Sequence, residues 1–235
     1  MKKNSITIVI PARMASSRYP GKPLELISGI PLIEHVRRRA LLVNEATLVV
    51  VATCDLEIKN KVESYGGISV MTKDTHERCT DRVEEAIENL PGDIIVMVQG
   101  DDPMLKPQMI NEVILSNNNQ HQVTNICNTL NEKDSKDLNR VKVVVNKKFE
   151  AVYFSREQIS FKKKRNKKLY LKQGNIFCFT PKILKKYCSI SESNLEIVES
   201  VDMNRYLEND IKIKMVYSKY DTINVDTLKD LKKVR

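Results

Sequence analysis

The sequence contains no tryptophan, only three histidines and only seven glycines among 235 residues. Its five cysteines are scattered without a Cys-x-x-Cys pair, which argues against a structural zinc site. No apolar stretch approaches the roughly 20 residues that a membrane-spanning helix needs. The apolar run behind the basic N-terminus is too short for a signal sequence. We therefore expect a cytoplasmic protein without membrane insertion.

The positive charge is concentrated in one short segment. Residues 161–168, FKKKRNKK, hold six basic residues, and without them the net charge of +9 falls to +3. Such a run is typical of a solvated loop, although contact with an anionic partner is the alternative. With no tryptophan and few aromatic residues near it, the run gives little support for RNA binding. We expect no nucleic-acid partner.

Continuous apolar strands alternate with amphipathic helices over the first 100 residues. This alternation predicts an α/β fold with a mostly parallel, Rossmann-like sheet and helices on both faces. Ligands of such sheets bind beyond the carboxyl ends of the strands, so the loop after Ile10 and the acids after Val98 should share one rim. The predicted strands are ITIVIP, TLVVVAT, ISVMT and DIIVMV, and the predicted helices are PLIEHVRRRALLV, DLEIKNKVESYG (opened by Asp55) and TDRVEEAIENL.

The pattern becomes rich in strands after about residue 120. Two strands joined by a turn near Asn146 are predicted in NRVKVVVNKKFEAVYFSR, and another strand is predicted in LYLKQGNIFCFT. One helix is predicted in LEIVESVDMNRYLEND, followed by a last strand and a last helix. There is no internal repeat and no long linker. We interpret residues 1–235 as a single domain with a small β-rich excursion at about 125–205.

The loop PARMASSRYPGKPL, residues 11–24, combines small residues with three cations directly after the first strand. Pro23 follows Gly21-Lys22 and the first glycine is missing, so this is not GxxxxGK[ST], and GxGxxG is absent too. Backbone amides, guanidinium groups and an ammonium group together suit a polyphosphate, although a solvated basic loop is the alternative. The small residues are Ala12, Ala15, Ser16 and Ser17, and the cations are Arg13, Arg18 and Lys22.

Acidic residues follow a second predicted strand. Asp101 and Asp102 in VQGDDP could cap the helix that begins near Pro107, or Asp101 could hold Mg²⁺, which takes a few carboxylates and shares its other positions with water and phosphates. Asp226 in NVDTLKDL reads by itself as a helix N-cap. A cationic phosphate loop and carboxylates on one rim are the set that nucleotidyl transfer needs.

Several motifs, taken in order, resemble the 3-deoxy-manno-octulosonate (Kdo) cytidylyltransferases over nearly the whole chain. The resemblance implies a fold of the nucleotide-diphospho-sugar transferase type, a homodimer, and a reaction of CTP with a sugar acid that gives a CMP-sugar acid and pyrophosphate. In that reaction no side-chain nucleophile is required, which fits the lack of a Ser-His-Asp or Cys-His arrangement. The motifs are IPARMASSRYPGKPL, VVATCDLEI, GGISVMT, TDRVEEA, VMVQGDDPML, VYFSR and VDTLKDL.

The same resemblance implies a role for individual residues. Arg13 and Lys22 would grip the triphosphate, and Arg156 would face the sugar carboxylate. The predicted catalytic residues are Lys22, Gln99, Asp101 and Asp226, of which Asp101 and Asp226 would be the Mg²⁺ ligands. The predicted nucleotide-binding residues are Ala12, Arg13, Ser16, Ser17, Arg18, Lys22 and Arg82. The predicted acceptor-binding residues are Gln99, Arg156, Gln173, Asp202 and Met203.

Departures from the family pattern fall mostly where the acceptor should bind. Cys79 replaces the glycine of GTDR, QGDEP has become QGDDP, Gln173 takes the position of the histidine in His-x-Gly-Ile-Tyr, and Asp202-Met203 replaces Glu-Gln. Met203 cannot supply the two hydrogen-bonding ends of a glutamine. One explanation is neutral drift; the other is a different acceptor, such as 8-amino-Kdo, another ulosonate or a phosphonate. A non-catalytic nucleotide-binding protein is disfavoured, because the phosphate and metal residues are all present.

Overall fold

The computed structural model describes residues 4–16, 18–117, 120–159 and 170–235. Its strands are β1 (Ile6–Ala12), β2 (Leu26–Ile27), β3 (Ile30–Pro31), β4 (Leu48–Thr53), β5 (Ile68–Met71), β6 (Ile94–Val98), β7 (Val123–Leu130), β8 (Lys142–Val145), β9 (Ala151–Ser155), β10 (Tyr170–Phe179) and β11 (Ile213–Tyr217). Its α-helices are α1 (Leu32–Ala40), α2 (Leu56–Ser64), α3 (Cys79–Ile87), α4 (Pro107–Ser116), α5 (Pro181–Cys188), α6 (Asn194–Glu199), α7 (Met203–Glu208) and α8 (Leu228–Val234). Two short 3-10 helices span Lys22–Leu24 and Asp134–Lys136.

One mixed sheet organises the described part of the chain. Its strands run in the order β11-β7-β10-β6-β1-β4-β5, and β8 and β9 extend from β10 as a hairpin. The pairs β1–β4, β1–β6, β4–β5 and β11–β7 are parallel, whereas β10 runs antiparallel to both β6 and β7. The strands β2 and β3 form a separate antiparallel pair. The predicted α/β class is therefore confirmed.

Helices cover both faces of this sheet, which explains why its central strands are apolar throughout. Successive side chains of a strand point to opposite faces; Ile8 and Ile10 belong to one core cluster and Val9 to the other. The first cluster takes apolar residues from α1, α2, α4 and α8, and the second from α3, α5 and α7. The described residues include no helix that is both long and apolar enough to cross a membrane.

The chain changes direction across the sheet at β1. After β1 it adds β4 and β5 on one side and then returns to place β6 on the other, which leaves a crevice at the carboxyl ends of β1 and β6. At Gly100, directly after β6, a Cβ atom would lie 3.0 Å from both Pro11 O and Ile33 Cδ1. Glycine therefore lets the acidic segment after β6 approach the loop after β1, and the predicted shared rim is confirmed.

The single helix predicted across LEIVESVDMNRYLEND is wrong. The structure has two helices, α6 and α7, because Ser200 adopts a left-handed conformation (φ 50°) that ends α6. The Val201 amide then donates back to Glu196 O at 3.2 Å, and the Val201 side chain turns into the core. Ile197, an apolar residue of the predicted helix, is 55% exposed.

A buried ion pair holds α6 against α7. The Glu196 carboxylate is fully buried and accepts from Arg205 Nε at 2.6 Å and Nη2 at 2.7 Å, with Tyr187 OH donating at 3.1 Å. The Arg205 guanidinium lies 4.0 Å from the centre of the Tyr187 ring. Both carboxylate oxygens are thereby satisfied, and the corner between the helices is fixed.

We expect Arg205→Met to lower the free energy of unfolding by about 3 kcal/mol, because it removes the closer of the two guanidinium partners of the buried Glu196 carboxylate and leaves only Arg78 Nε, at 3.5 Å. Urea unfolding followed by circular dichroism measures this change. The control is Lys59→Met, which removes the partly exposed Lys59–Glu63 pair of α2 and should cost less than about 1 kcal/mol. Equal losses of unfolding free energy in the two variants would contradict the conclusion that the buried ion pair stabilises the fold.

Candidate active site

Two adjoining cavities open at the rim where β1 and β6 end. The first, which we call the loop cavity, has a volume of about 230 Å³ and lies between residues 11–23 and residues 76–82. The second, the large cavity, has a volume of about 640 Å³ and reaches β10, the α6–α7 corner and the start of α8. Arg18, Gln99 and Asp101 line both cavities.

The loop after β1 is held by its own backbone and by α2. Ser16 N and Gly21 N both donate to Met14 O at 2.9 Å, and Met14 N donates to Asp55 Oδ2 at 2.8 Å. Asp55 does occupy the N-cap position of α2, but its carboxylate binds this loop instead of capping the helix. Of the predicted nucleotide-binding residues, those that line the loop cavity are Ala12, Arg13, Ser16, Arg18, Lys22 and Arg82, while Ser17 lies outside the described residues.

Four charged side chains from three distant segments meet between the cavities. Lys22 Nζ lies 2.9 Å from Asp101 Oδ2 and 3.6 Å from Asp226 Oδ1. Arg18 Nη2 lies 2.8 Å from the same Asp226 oxygen. We call Arg18, Lys22, Asp101 and Asp226 the charged cluster. Lys22, Asp101 and Asp226 are each less than 20% exposed, so their charges act on one another with little screening by water.

The charged cluster perturbs its own members. Burial by itself would lower the pKa of Lys22, but the attraction of Asp101 and Asp226 outweighs it and raises the pKa, so the ammonium stays charged. Burial, followed by the repulsion of Asp101, raises the pKa of Asp226. The alternative reading of Asp226 as a helix cap is wrong, because Thr227 caps α8 in a reciprocal box with Asp230.

Asp102 is buried behind the charged cluster. Its carboxylate accepts from Thr222 Oγ1 and from Met104 N, the latter at 3.2 Å. Burial raises the pKa of Asp102 to about 7. It does not cap α4, whose N-cap is Lys106. Asp102 instead ties the end of β6 to the segment that leads to Asp226.

Arg82 forms part of the floor of the loop cavity. It is only 3% exposed and donates to Thr72 Oγ1 and, at 3.2 Å, to Lys73 O. Its Nη2 atom is buried and has no hydrogen-bond partner among the described residues. An unpaired guanidinium nitrogen in a cavity wall suits an anionic or carbonyl oxygen of a ligand.

The predicted acceptor residues separate into four that line the large cavity, among them Gln99 described above, and one that does not. Arg156, Gln173 and Asp202 line it, whereas Met203 is fully buried in the core and lines neither cavity. Met203 is the first residue of α7, and its apolar side chain packs beneath the cavity wall instead of facing it. The structure therefore does not bring Met203 to the site.

Hydrogen bonds fix the side chains of Arg156 and Asp202, whereas the side chain of Gln173 keeps an unpaired amide nitrogen. Arg156 donates to Glu199 O, Leu138 O and Ser200 O at 2.8, 3.1 and 3.0 Å, and burial followed by repulsion from Arg18 lowers its pKa. Asp202 Oδ2 accepts from Thr80 Oγ1 at 2.6 Å. Gln173 Nε2 is buried without a hydrogen-bond partner among the described residues, so it offers a free donor.

Several further residues of the site were not predicted from the sequence. Lys172 is 6% exposed on β10 and pairs with Asp221 at 3.1 Å, a contact that only its polar character within an apolar strand could have indicated. Arg78 lines the loop cavity and donates to Ser200 Oγ at 3.1 Å. Asn175 donates to Asp101 Oδ1 at 3.1 Å. These contacts join segments far apart in the chain, so no local pattern announces them.

Known proteins resemble this chain in sequence and in fold. The 3-deoxy-manno-octulosonate cytidylyltransferase of Escherichia coli is 36% identical over 97% of this chain and 94% of its own length. The 8-amino-3,8-dideoxy-manno-octulosonate cytidylyltransferase of Shewanella pealeana is 38% identical over 97% of this chain and 96% of its own. A solved structure of CMP:2-keto-3-deoxy-manno-octonic acid synthetase complexed with CTP superimposes with a TM-score of 0.92 at 36% identity, covering 98% of this chain and 96% of that one.

The family model described as cytidylyltransferase matches residues 7–213, which include the loop after β1, the acids after β6 and most of the large-cavity wall. The match extends over far more than half of the chain and agrees with relatives that are 36–38% identical from end to end. On this evidence the chain belongs to the cytidylyltransferase family.

Proposed function

We propose that this protein transfers CMP from CTP to a sugar acid, 3-deoxy-manno-octulosonate or its 8-amino analogue, and releases pyrophosphate. The observation that carries this proposal is the charged cluster at the boundary of the two cavities. One cavity is lined by the cations that a triphosphate needs, and the other by polar groups that a polyhydroxylated acid needs. The two reactants would therefore meet at Gln99 and Asp101, which line both.

The loop cavity is the proposed site of CTP. Arg13, Arg18 and Lys22 would hold the triphosphate, with Arg82 Nη2 free to bind a further oxygen. The acceptor hydroxyl attacks the α-phosphorus and its proton passes to solvent water. The new P–O bond forms, the bond between the α-phosphorus and the oxygen that bridges to the β-phosphate breaks, and pyrophosphate leaves with that oxygen. The chain's cations stabilise the charge that grows on the departing pyrophosphate and position both reactants in line.

The charged cluster fits a magnesium ion. Asp101 and Asp226 already share one cation, the Lys22 ammonium, which lies within 3.6 Å of both. Mg²⁺ is typically bound by one or two carboxylates plus substrate phosphates and water, and Asp101 and Asp226 are the two carboxylates here. Bound there, Mg²⁺ would neutralise phosphate charge. Lys22 would then be free to move from the two carboxylates to the phosphates.

The large cavity is the proposed site of the acceptor. Arg156 keeps its positive charge toward the cavity while its carbonyl contacts fix its orientation, which suits a carboxylate ligand. Gln173 Nε2 and the Asp202 carboxylate supply a donor and an acceptor for hydroxyl groups. An aspartate would equally receive an ammonium group, which is why the 8-amino sugar acid is the second candidate.

We infer that the protein acts in the cytoplasm as a homodimer. The exposed apolar side chains of α6 and β9 support the dimer: Leu195, Ile197, Val198 and Val152 are 38%, 55%, 80% and 57% exposed. The two elements form one surface, since Glu199 at the end of α6 accepts from Tyr153 OH and Ser155 Oγ of β9 at 2.5 and 2.8 Å. Exposed apolar side chains concentrated on two joined elements are typical of an interface.

The first test of the function is pyrophosphate release from CTP and Mg²⁺ with either Kdo or 8-amino-Kdo, with the CMP-sugar identified by mass spectrometry. We expect turnover with at least one of the two, and the ratio of kcat/KM values assigns the acceptor. If the protein binds CTP but releases no pyrophosphate with either acid, the proposal is overturned in favour of a nucleotide-binding protein.

Asp101→Asn should leave the fold intact and lower kcat about 100-fold or more, because it removes one carboxylate of the proposed metal site and its pairing with Lys22. Steady-state kinetics and thermal unfolding measure the two effects. The control is Asp210→Asn, at an exposed turn with φ 56° that asparagine tolerates. Near-parental rates for Asp101→Asn would show that this carboxylate is not needed.

Val198→Asp should convert the proposed dimer to a monomer, because it places a charge in the exposed apolar patch. Light scattering coupled to gel filtration gives the mass of each species. The control is Leu42→Asp, which should leave the mass unchanged. Leu42 follows α1 in the sequence and is 65% exposed. A parent protein that elutes as a monomer, or a variant that stays dimeric, would show that this patch is not the interface.

A further inference from the structure

Strand β10 contains an irregularity directly beside the charged cluster. Gln173 lies opposite Cys127 of β7, yet Phe177 lies opposite Asn125, so four steps along β10 match two along β7. The intervening residues of β10 are forced out of register as a bulge. Bulges near active sites commonly re-aim a side chain.

Two features of the core keep this bulge in place. The fully buried Asn125 donates from Nδ2 to Gly174 O at 3.0 Å and to Ile176 O at 2.9 Å, which satisfies carbonyls that no longer pair with β7. A Cβ atom at position 174 would lie only 2.3 Å from Ile126 Cγ2. The bulge therefore depends on an internal amide and on glycine, and both are built into the sequence.

The bulge brings Asn175 to the end of β6. Asn175 Nδ2 donates to Asp101 Oδ1 at 3.1 Å, and Asn175 O accepts from Gln99 N at 3.0 Å. One residue of β10 thus contacts the residues on both sides of Gly100. These are the two residues after β6 that line both cavities.

The contacts of Asp101 divide its carboxylate between two kinds of donor. Oδ2 binds the Lys22 ammonium at 2.9 Å, and Oδ1 binds the neutral amide of Asn175. The Lys22 ammonium can be exchanged for another cation, whereas the Asn175 amide is held in place by the bulge. The amide fixes the rotation of the carboxylate and leaves a lone pair on each oxygen for a ligand.

We propose that Asn175 is a positioning residue that holds the Asp101 carboxylate in the orientation required for binding a divalent cation. The inference rests on the proposed function for the role of that cation. The hydrogen bond and the bulge from which the inference is argued are independent of the proposed function. Partners that hydrogen-bond to a metal-binding carboxylate typically contribute a factor of 10–100 in metal affinity. Asn175 would act through Asp101. Because it also lines the large cavity, an unchanged KM for the acceptor distinguishes this role from direct contact with the acceptor.

The test measures binding of Mn²⁺, used as a spectroscopic substitute for Mg²⁺, to the protein alone by the electron paramagnetic resonance signal of the free ion. Asn175→Ala should weaken Mn²⁺ binding about tenfold and raise the Mg²⁺ concentration for half-maximal turnover by a similar factor. The KM values for CTP and for the acceptor should stay within twofold of the parent. Asn175→Ser, whose hydroxyl is too short to reach Asp101, is the second variant should the alanine variant not fold.

The matched control is Asn146→Ala, which removes an amide-to-carboxylate hydrogen bond of 2.8 Å to Glu150 in the β8–β9 turn, away from both cavities. It should leave Mn²⁺ affinity unchanged even where it lowers the melting temperature. Unchanged Mn²⁺ affinity in the Asn175 variants, a raised acceptor KM instead, or a parent that binds no Mn²⁺ up to millimolar concentration overturns the inference. A parent that binds Mn²⁺ but releases no pyrophosphate contradicts the proposed function and leaves the inference standing.

Discussion

The ammonium group of Lys22 between the carboxylates of Asp101 and Asp226 is the contact on which the arrangement of the site depends. Each of the three groups comes from a different part of the chain: the loop after β1, the end of β6 and the segment before α8. Both carboxylates lie within 3.6 Å of the same ammonium nitrogen, so they are close enough to repel each other, and the cation between them offsets that repulsion. The fold can therefore bring these segments together because the loop carries its own positive charge.

The antiparallel strand β10 brings a side chain of its own to the charged cluster. It enters the sheet beside β6 in the opposite direction, so its bulge presents Asn175 to a carboxylate at the strand's end. A second set of contacts joins the two cavities: Thr80 donates to Asp202 and Arg78 to Ser200. The start of α3, which borders the loop cavity, is thereby tied to the α6–α7 corner, which borders the large one.

Much of the fold and part of the site follow from local sequence. Continuous apolar runs predicted most of the buried strands, but not β7, in which polar residues interrupt the apolar pattern. The rim shared by the loop after Ile10 and the acids after Val98 followed from strand direction alone. The prediction failed where neighbours in space overrode local pattern. The apolar spacing of LEIVESVDMNRYLEND suits one helix, but Ser200 breaks it and Val201 enters the core. Met203 fits the acceptor motif by position, yet an apolar side chain there is more stable when buried.

The sequence by itself determined most of the strands, most of the helices, the parallel half of the sheet and the charges at its rim, because hydrophobic periodicity and strand polarity are local properties. Tertiary structure decided which charges meet. Three features depend on groups far apart in the chain: the pairing of β10 with β6 and β7, the bulge held by Asn125, and the burial and charge pairing that together shift the pKa values of Lys22 and Asp226. Electrostatic and hydrogen-bond geometry depends on distance in space, and a linear pattern does not contain those distances.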